Sequence, residues 1–208
     1  MLSNGAEALR PHIPEAAWAP VLQWLQQHPV QVRVVEPRRT KLGDYRLPLG
    51  AKPPRITVNN DLNPYAFLVT LVHEFAHHAT FLRERHAQPH GHEWRMEYQR
   101  LMRPFLSPLV LPADVLLALE LHMQRASASS CTDRQLMRVL LRHEAEPVLV
   151  LERIPERALF HFNNSIYVKG PRLRKRYQCR CLNNRRLYLM DPLVEVRMHD
   201  PTIVSSAS

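Results

Sequence analysis

The sequence predicts an α+β protein in two parts: a mainly helical domain with a small sheet over residues 1–147, and a small all-β module over residues 148–208. Three observations carry this reading. Apolar residues recur at helical spacing from Phe67 to Ala79, short alternating runs at 31–35 and 55–59 precede that helix, and beyond Pro147 the period falls from 3.6 to 2. At 208 residues and 24.3 kDa the chain can bury one good core plus a small appended module.

Residues 14–28 read as an amphipathic helix with Trp18, Val21, Leu22 and Leu25 on one side, and 31–35 as a strand. Residues 36–54, rich in basic residues, Pro and Gly, read as a long loop that is either plainly solvated or in contact with substrate or DNA. A second strand at 55–59 leads into the main helix, for which Asn63 is the N-cap candidate and Pro64 suits the first position; nothing breaks it before about Arg85. Gly91 can turn the chain into another helix that packs through Trp94, Tyr98, Leu101 and Met102. Residues 112–125 and 132–146 read as two scaffold helices, with Cys131 an inert small residue near the turn between them.

In the tail, runs at 148–152, 158–162, 166–169, 176–180, 186–190 and 193–197 read as strands, with turn signals at Asn163-Asn164 and Asn183-Asn184. Leu159, Phe160, Phe162, Ile166, Tyr177, Leu187, Leu189 and Val194 are its expected core, which leaves Tyr167 and Tyr188 as the aromatics best placed to stack on bases. Residues 202–208 read as a frayed end.

The chemistry concentrates in His73-Glu74-Phe75-Ala76-His77. On a helix, residues i and i+4 share a face, so both imidazoles can bind one Zn²⁺ while Glu74 holds and deprotonates its water. The bland alternative is a pair of hydrogen-bonded core histidines. Burying them beside a carboxylate on a mostly apolar face is costly without a metal or partners. A hydrolytic zinc site needs a third protein ligand and an open fourth position. Metzincin spacing fails, because Thr80 and Arg83 stand where Gly and His are required. Glu97, His92 and His90 remain, while His78, rotated about 100° from His77, and His86 fit solvated or supporting roles.

This motif, followed by Gly91-His92 with Trp94 two residues on, resembles the SprT-like metallopeptidases, the family that includes the DNA–protein crosslink protease Spartan. The similarity continues upstream through residues 39–46 and 56–65 and covers at least 32–102. The resemblance implies a zincin-like, minigluzincin-type domain and one Zn²⁺ per chain, held by His73, His77 and His92, with Glu74 as catalytic base and acid. His92 is favoured over His90 because His90 precedes the glycine that sets the turn. The resemblance also gives 55–59 the role of an edge strand that pairs with substrate backbone. It implies a zinc endopeptidase acting on DNA-bound or DNA-crosslinked proteins. The alternative is a nucleic-acid-binding or regulatory protein with a metal-stabilised fold and little peptidase activity, and a metal-dependent hydrolase of non-peptide substrates is a third reading.

Many SprT-like proteins carry a C-terminal zinc ribbon of two CxxC pairs, and here Cys179-Arg180-Cys181 is a CxC without a partner pair. The module is therefore expected to keep a ribbon-like or barrel-like fold without a second metal. Three cysteines, no signal-peptide pattern at the N-terminus and no apolar run approaching 18 residues give a cytoplasmic expectation with no membrane contact. The net charge is +9, and the excess lies in the tail: residues 1–147 hold 17 basic against 14 acidic, residues 148–208 hold 11 against 5. Lys169, Arg172, Arg174, Lys175, Arg176, Arg180, Arg185 and Arg186 have no acidic residue among them, and they are the expected sequence-independent DNA contact.

Overall fold

A computed structural model describes residues 6–38, 41–124 and 133–199. Cys131, the turn before it and the frayed end expected at 202–208 lie outside them. The chain divides into two compact units, Met1–Ala145 and Glu146–Ser208. Among the described residues no helix is long and apolar enough to cross a membrane.

In the first unit, helix α1 (Trp18–Gln27) leads to strands β1 (Gln31–Val35), β2 (Gly43–Arg46) and β3 (Arg55–Asn59), then to helices α2 (Pro64–Arg83), α3 (His92–Met102), α4 (Ala113–Gln124) and α5 (Arg134–Leu140). The helix expected over 132–146 is shorter and ends in a 3₁₀ turn at Leu141–His143. Helix α2 is buried on nearly every side, with Phe67, Leu68, Leu71, Val72 and Phe75 inside the core. It starts where Asn63 accepts from the backbone N–H groups of Tyr65 and Ala66, with Pro64 in the first turn. The Asn63 amide also donates to the Leu140 carbonyl (2.9 Å) and to Glu144 (2.7 Å), fastening the end of α5 to the start of α2.

The sheet order is β1-β3-β2, with β1 parallel and β2 antiparallel to β3. This corrects two expectations. The segment 36–54 is not all loop, because residues 43–46 are a strand, and the strand at 55–59 is central. Both sides of β3 are taken by ladder hydrogen bonds, so it cannot pair with a substrate. β2 is the edge strand that packs beside α2.

The second unit is a five-stranded sheet, β7-β6-β5-β4-β8, from β4 (Leu159–Phe162), β5 (Ser165–Leu173), β6 (Arg176–Cys181), β7 (Leu187–Met190) and β8 (Arg197–Met198). Asn163 and Asn164 both take left-handed backbone angles, φ 48° and 59°, which suit the twist of a two-residue hairpin between β4 and β5. Pro171 has no N–H for the ladder, and the β5–β6 register slips between Lys169 and Arg172. The 148–152 run is not a strand: Val150 makes one bridge to Glu195, and Leu151–Arg153 turns as 3₁₀ helix to bury Leu151.

The core expected for this sheet holds in part: Phe160 is buried and Phe162, Tyr177 and Val194 pack against the core, whereas Leu159, Ile166, Leu187 and Leu189 lie on the other face. Its core holds Leu151, Ile154, Phe160, Tyr167, Cys179, Cys181, Met190 and Val196. Leu187 and Leu189 are more than half exposed, whereas Tyr167 is buried and stacks on Phe160. Alternation did not distinguish the two faces because both carry apolar residues. Replacing Asn63 with Ala removes the α2 cap and the side-chain hydrogen bonds to the Leu140 carbonyl and Glu144. A loss of about 2–3 kcal/mol is expected, read as a lower denaturant midpoint for the first unit.

Candidate metal centre

Helix α2 places His73 and His77 one turn apart, and the chain between α2 and α3 returns His90 to them. The three Nε2 atoms form a near-equilateral triangle: 3.3 Å from His73 to His77, 3.1 Å from His77 to His90 and 3.1 Å from His90 to His73. Tetrahedral zinc with Zn–N bonds of 2.0–2.1 Å requires ligand nitrogens about 3.3 Å apart, so the donor set fits the ion in both type and spacing. Among the described residues this is the cluster of three that can hold a metal. Burial, followed by the neighbouring imidazoles, drops His73 to about 3 and His77 to about 4, and burial lowers His90. All three therefore present neutral lone pairs, as ligation demands.

His92, expected as the third ligand, is not in this cluster; the third nitrogen that the structure brings to His73 and His77 is that of His90. The cause is local. His90 adopts φ 61°, a left-handed conformation that His tolerates better than most residues, and this brings its ring back to α2. Gly91 is the extended N-cap of α3, and His92, the first helical residue, is exposed to solvent. A histidine just before a helix-starting glycine is the available signal, and its position before the turn made it the less favoured candidate in the sequence. Glu97 is also absent from the cluster. It is buried on α3, where Arg83 and Arg100 pair with its two oxygens. Burial opposes ionisation there, yet the arginines hold its carboxyl below the usual range.

Trp94 supports all three rings, with centroids 4.7 Å from His73, 5.3 Å from His77 and 4.8 Å from His90, and Tyr98 stacks behind it at 5.0 Å. Glu74 lies between α2 and the edge strand. A Cβ at Gly43 would stand 2.6 Å from Glu74 Oε1 and 2.7 Å from Thr70 Cγ2, so only glycine lets β2 approach this closely. The backbone N–H of Tyr45 donates to the Glu74 carboxylate, and the charge of Asp44 lies nearby. Burial and then Asp44 push the Glu74 carboxyl up to about 7. The Tyr45 ring is parallel to that of His77, its hydroxyl pairs with His78 Nδ1 at 3.1 Å, and burial pushes it up to about 12. His78 thus supports the edge strand. His86 lies exposed in the chain after α2.

The proposed DNA-contact residues divide. Lys169 is buried, with Nζ 2.6 Å from the Ile154 carbonyl and above the Tyr177 ring, and so is unavailable to a phosphate. Arg172, Arg174, Lys175 and Arg176 cluster at the exposed β5–β6 hairpin, while Arg180, Arg185 and Arg186 are exposed on and after β6. His90→Ala is expected to reduce bound zinc to a small fraction of one per chain, whereas His92→Ala keeps wild-type content, measured by elemental analysis of purified protein.

Residues 22–114 match the model of the SprT-like family, described as SprT-like family. No curated protein and no solved structure gives a significant match to the chain. The matched segment holds all of α2, the returning chain and α3, and over it this protein carries an SprT-like domain.

Proposed function

We propose that the protein is a zinc-dependent endopeptidase of zincin type that acts on DNA-bound or DNA-crosslinked proteins. The observation that carries the hydrolytic reading is the Nε2 triangle with Glu74 beside it, because a purely structural zinc site has no use for a buried, ionisable carboxylate there. His73, His77 and His90 would hold the zinc, which when bound would supply the Lewis acidity that polarises a carbonyl and lowers the pKa of a water toward neutrality. Glu74 accepts that water's proton and returns it to the leaving amine nitrogen.

The edge strand orients the substrate. β2 lies along α2, from Gly43 beside Glu74 to Tyr45 beside His77, and its outer edge has no strand partner among the described residues. An extended polypeptide lying along that edge passes the catalytic carboxylate. Tyr45 keeps its proton at all working pH values, and its link to His78 fixes the strand against the helix. Support for a nucleic-acid role comes from the charge of the β5–β6 hairpin, where Arg172, Arg174, Lys175 and Arg176 stand in five residues.

Glu74→Gln is expected to keep zinc and fold while peptide hydrolysis falls by ~10² to 10⁴, the usual worth of general-base assistance. A variant with full turnover on a protein substrate would remove the peptidase mechanism. For the hairpin, neutralising Arg174, Lys175 and Arg176 together should flatten the slope of log K against log salt for duplex DNA by up to ~3, with sequence preference unchanged. Equal slopes in the two proteins would exclude the hairpin as the DNA contact.

A further inference from the structure

We propose that the outer face of the C-terminal sheet is a docking surface for an acidic, aliphatic segment of a partner protein. An antiparallel sheet with one face on its core normally presents polar residues on the other. Here the register aligns Leu159, Val168, Arg180 and Leu187 in one row across β4, β5, β6 and β7. The next row, on the same face, holds Arg197, His161 and Ile166, with Leu182 just past β6, and Leu189 lies opposite Gln178. None of the aliphatic residues in these rows packs against the core of the unit. Leu187 is 56% exposed, Leu189 55% and Leu182 46%, and with half-buried Leu159, Ile166 and Val168 they form contiguous aliphatic rows rather than scattered surface leucines.

Charge identifies the occupant. The ionic residues within the two rows are Arg180 and Arg197, and no Asp or Glu stands on these strand positions. A second copy would set one cationic face against another, which like-charge juxtaposition opposes. A nucleic acid would meet leucine and valine where it needs aromatic platforms, since Tyr167, Tyr177 and Tyr188 all lie on the opposite parity. A polypeptide that alternates acidic and aliphatic residues satisfies both the apolar rows and the arginines. The outer edge of β7, free of a strand partner among the described residues, offers it backbone pairing as well.

The test uses the full chain and a fluorescent synthetic peptide of about ten residues alternating Leu and Glu, long enough to cross a strand edge, with Leu/Lys and Ser/Glu peptides as controls. The Leu/Glu peptide should bind in preference to both controls. Leu187→Ser/Leu189→Ser and, separately, Arg180→Glu should each weaken it about tenfold or more, the scale of a central contact in an interface. These positions are exposed, so zinc content and melting temperature should not change. The proposal is overturned if the three peptides bind alike, or if neither variant weakens the Leu/Glu peptide. It is also overturned if the leucine variants instead abolish self-association or binding to phosphatidylserine vesicles. Because the readout involves neither zinc nor hydrolysis, its failure is distinct from failure of the peptidase reading.

Discussion

The first unit is organised around bringing three imidazole nitrogens to one point, two from a helix and one from the chain that follows it. α2 supplies its pair through i,i+4 geometry alone, but the third nitrogen depends on what holds the returning chain at both ends. Glu97 is buried between Arg83, in the last turn of α2, and Arg100, one turn along α3. Removing either arginine leaves a buried carboxylate less than fully paired, a state that costs more than the pair itself contributes. Trp94 then forms a wall behind all three rings and limits where they can move. Thus a charge cluster away from the metal position and one indole beside it define the path on which His90 takes its left-handed conformation.

Burial shapes the electrostatics in the same direction. It drives the histidines to neutrality and raises Glu74, and the edge strand adjusts the carboxylate through the Tyr45 N–H on one side and Asp44 on the other. Asp44 is itself partly buried, and Lys41 and Arg46 hold it ionised. The environment of the Glu74 carboxylate is therefore set from β2. The absence of a side chain at Gly43 is what allows the strand to come that close.

Much of this was legible in the sequence. The α2 helix, its Asn63 cap and the His73-Glu74-His77 constellation follow from periodicity and spacing that tertiary structure did not override. The third nitrogen of the triangle was not legible, because a residue with positive φ directs its side chain in a way that helical or strand spacing does not describe. The edge strand was missed because it is four residues long within a segment of loop-like composition, and its identity rests on the non-local order β1-β3-β2. In the C-terminal unit strands β4 to β7 were readable, the runs at 148–152 and 193–197 are not the strands expected, and the facing of Leu159, Ile166, Leu187 and Leu189 was not readable. Phe160 was legible as core, but Leu159, Ile166, Leu187 and Leu189 look like core residues too, and only the register shows that Tyr167 and the two cysteines occupy the interior instead.

X-ray absorption at the zinc edge of the purified protein tests the centre most directly, since it reads ligand type, number and distance without requiring an assigned substrate. The geometry predicts a first shell of three imidazole nitrogens and one further light atom at about 2.0 Å, with the outer-shell signature of histidine rings. A shell containing sulfur, or only two imidazoles with a carboxylate, would contradict the His73, His77 and His90 assignment and the mechanism built on it.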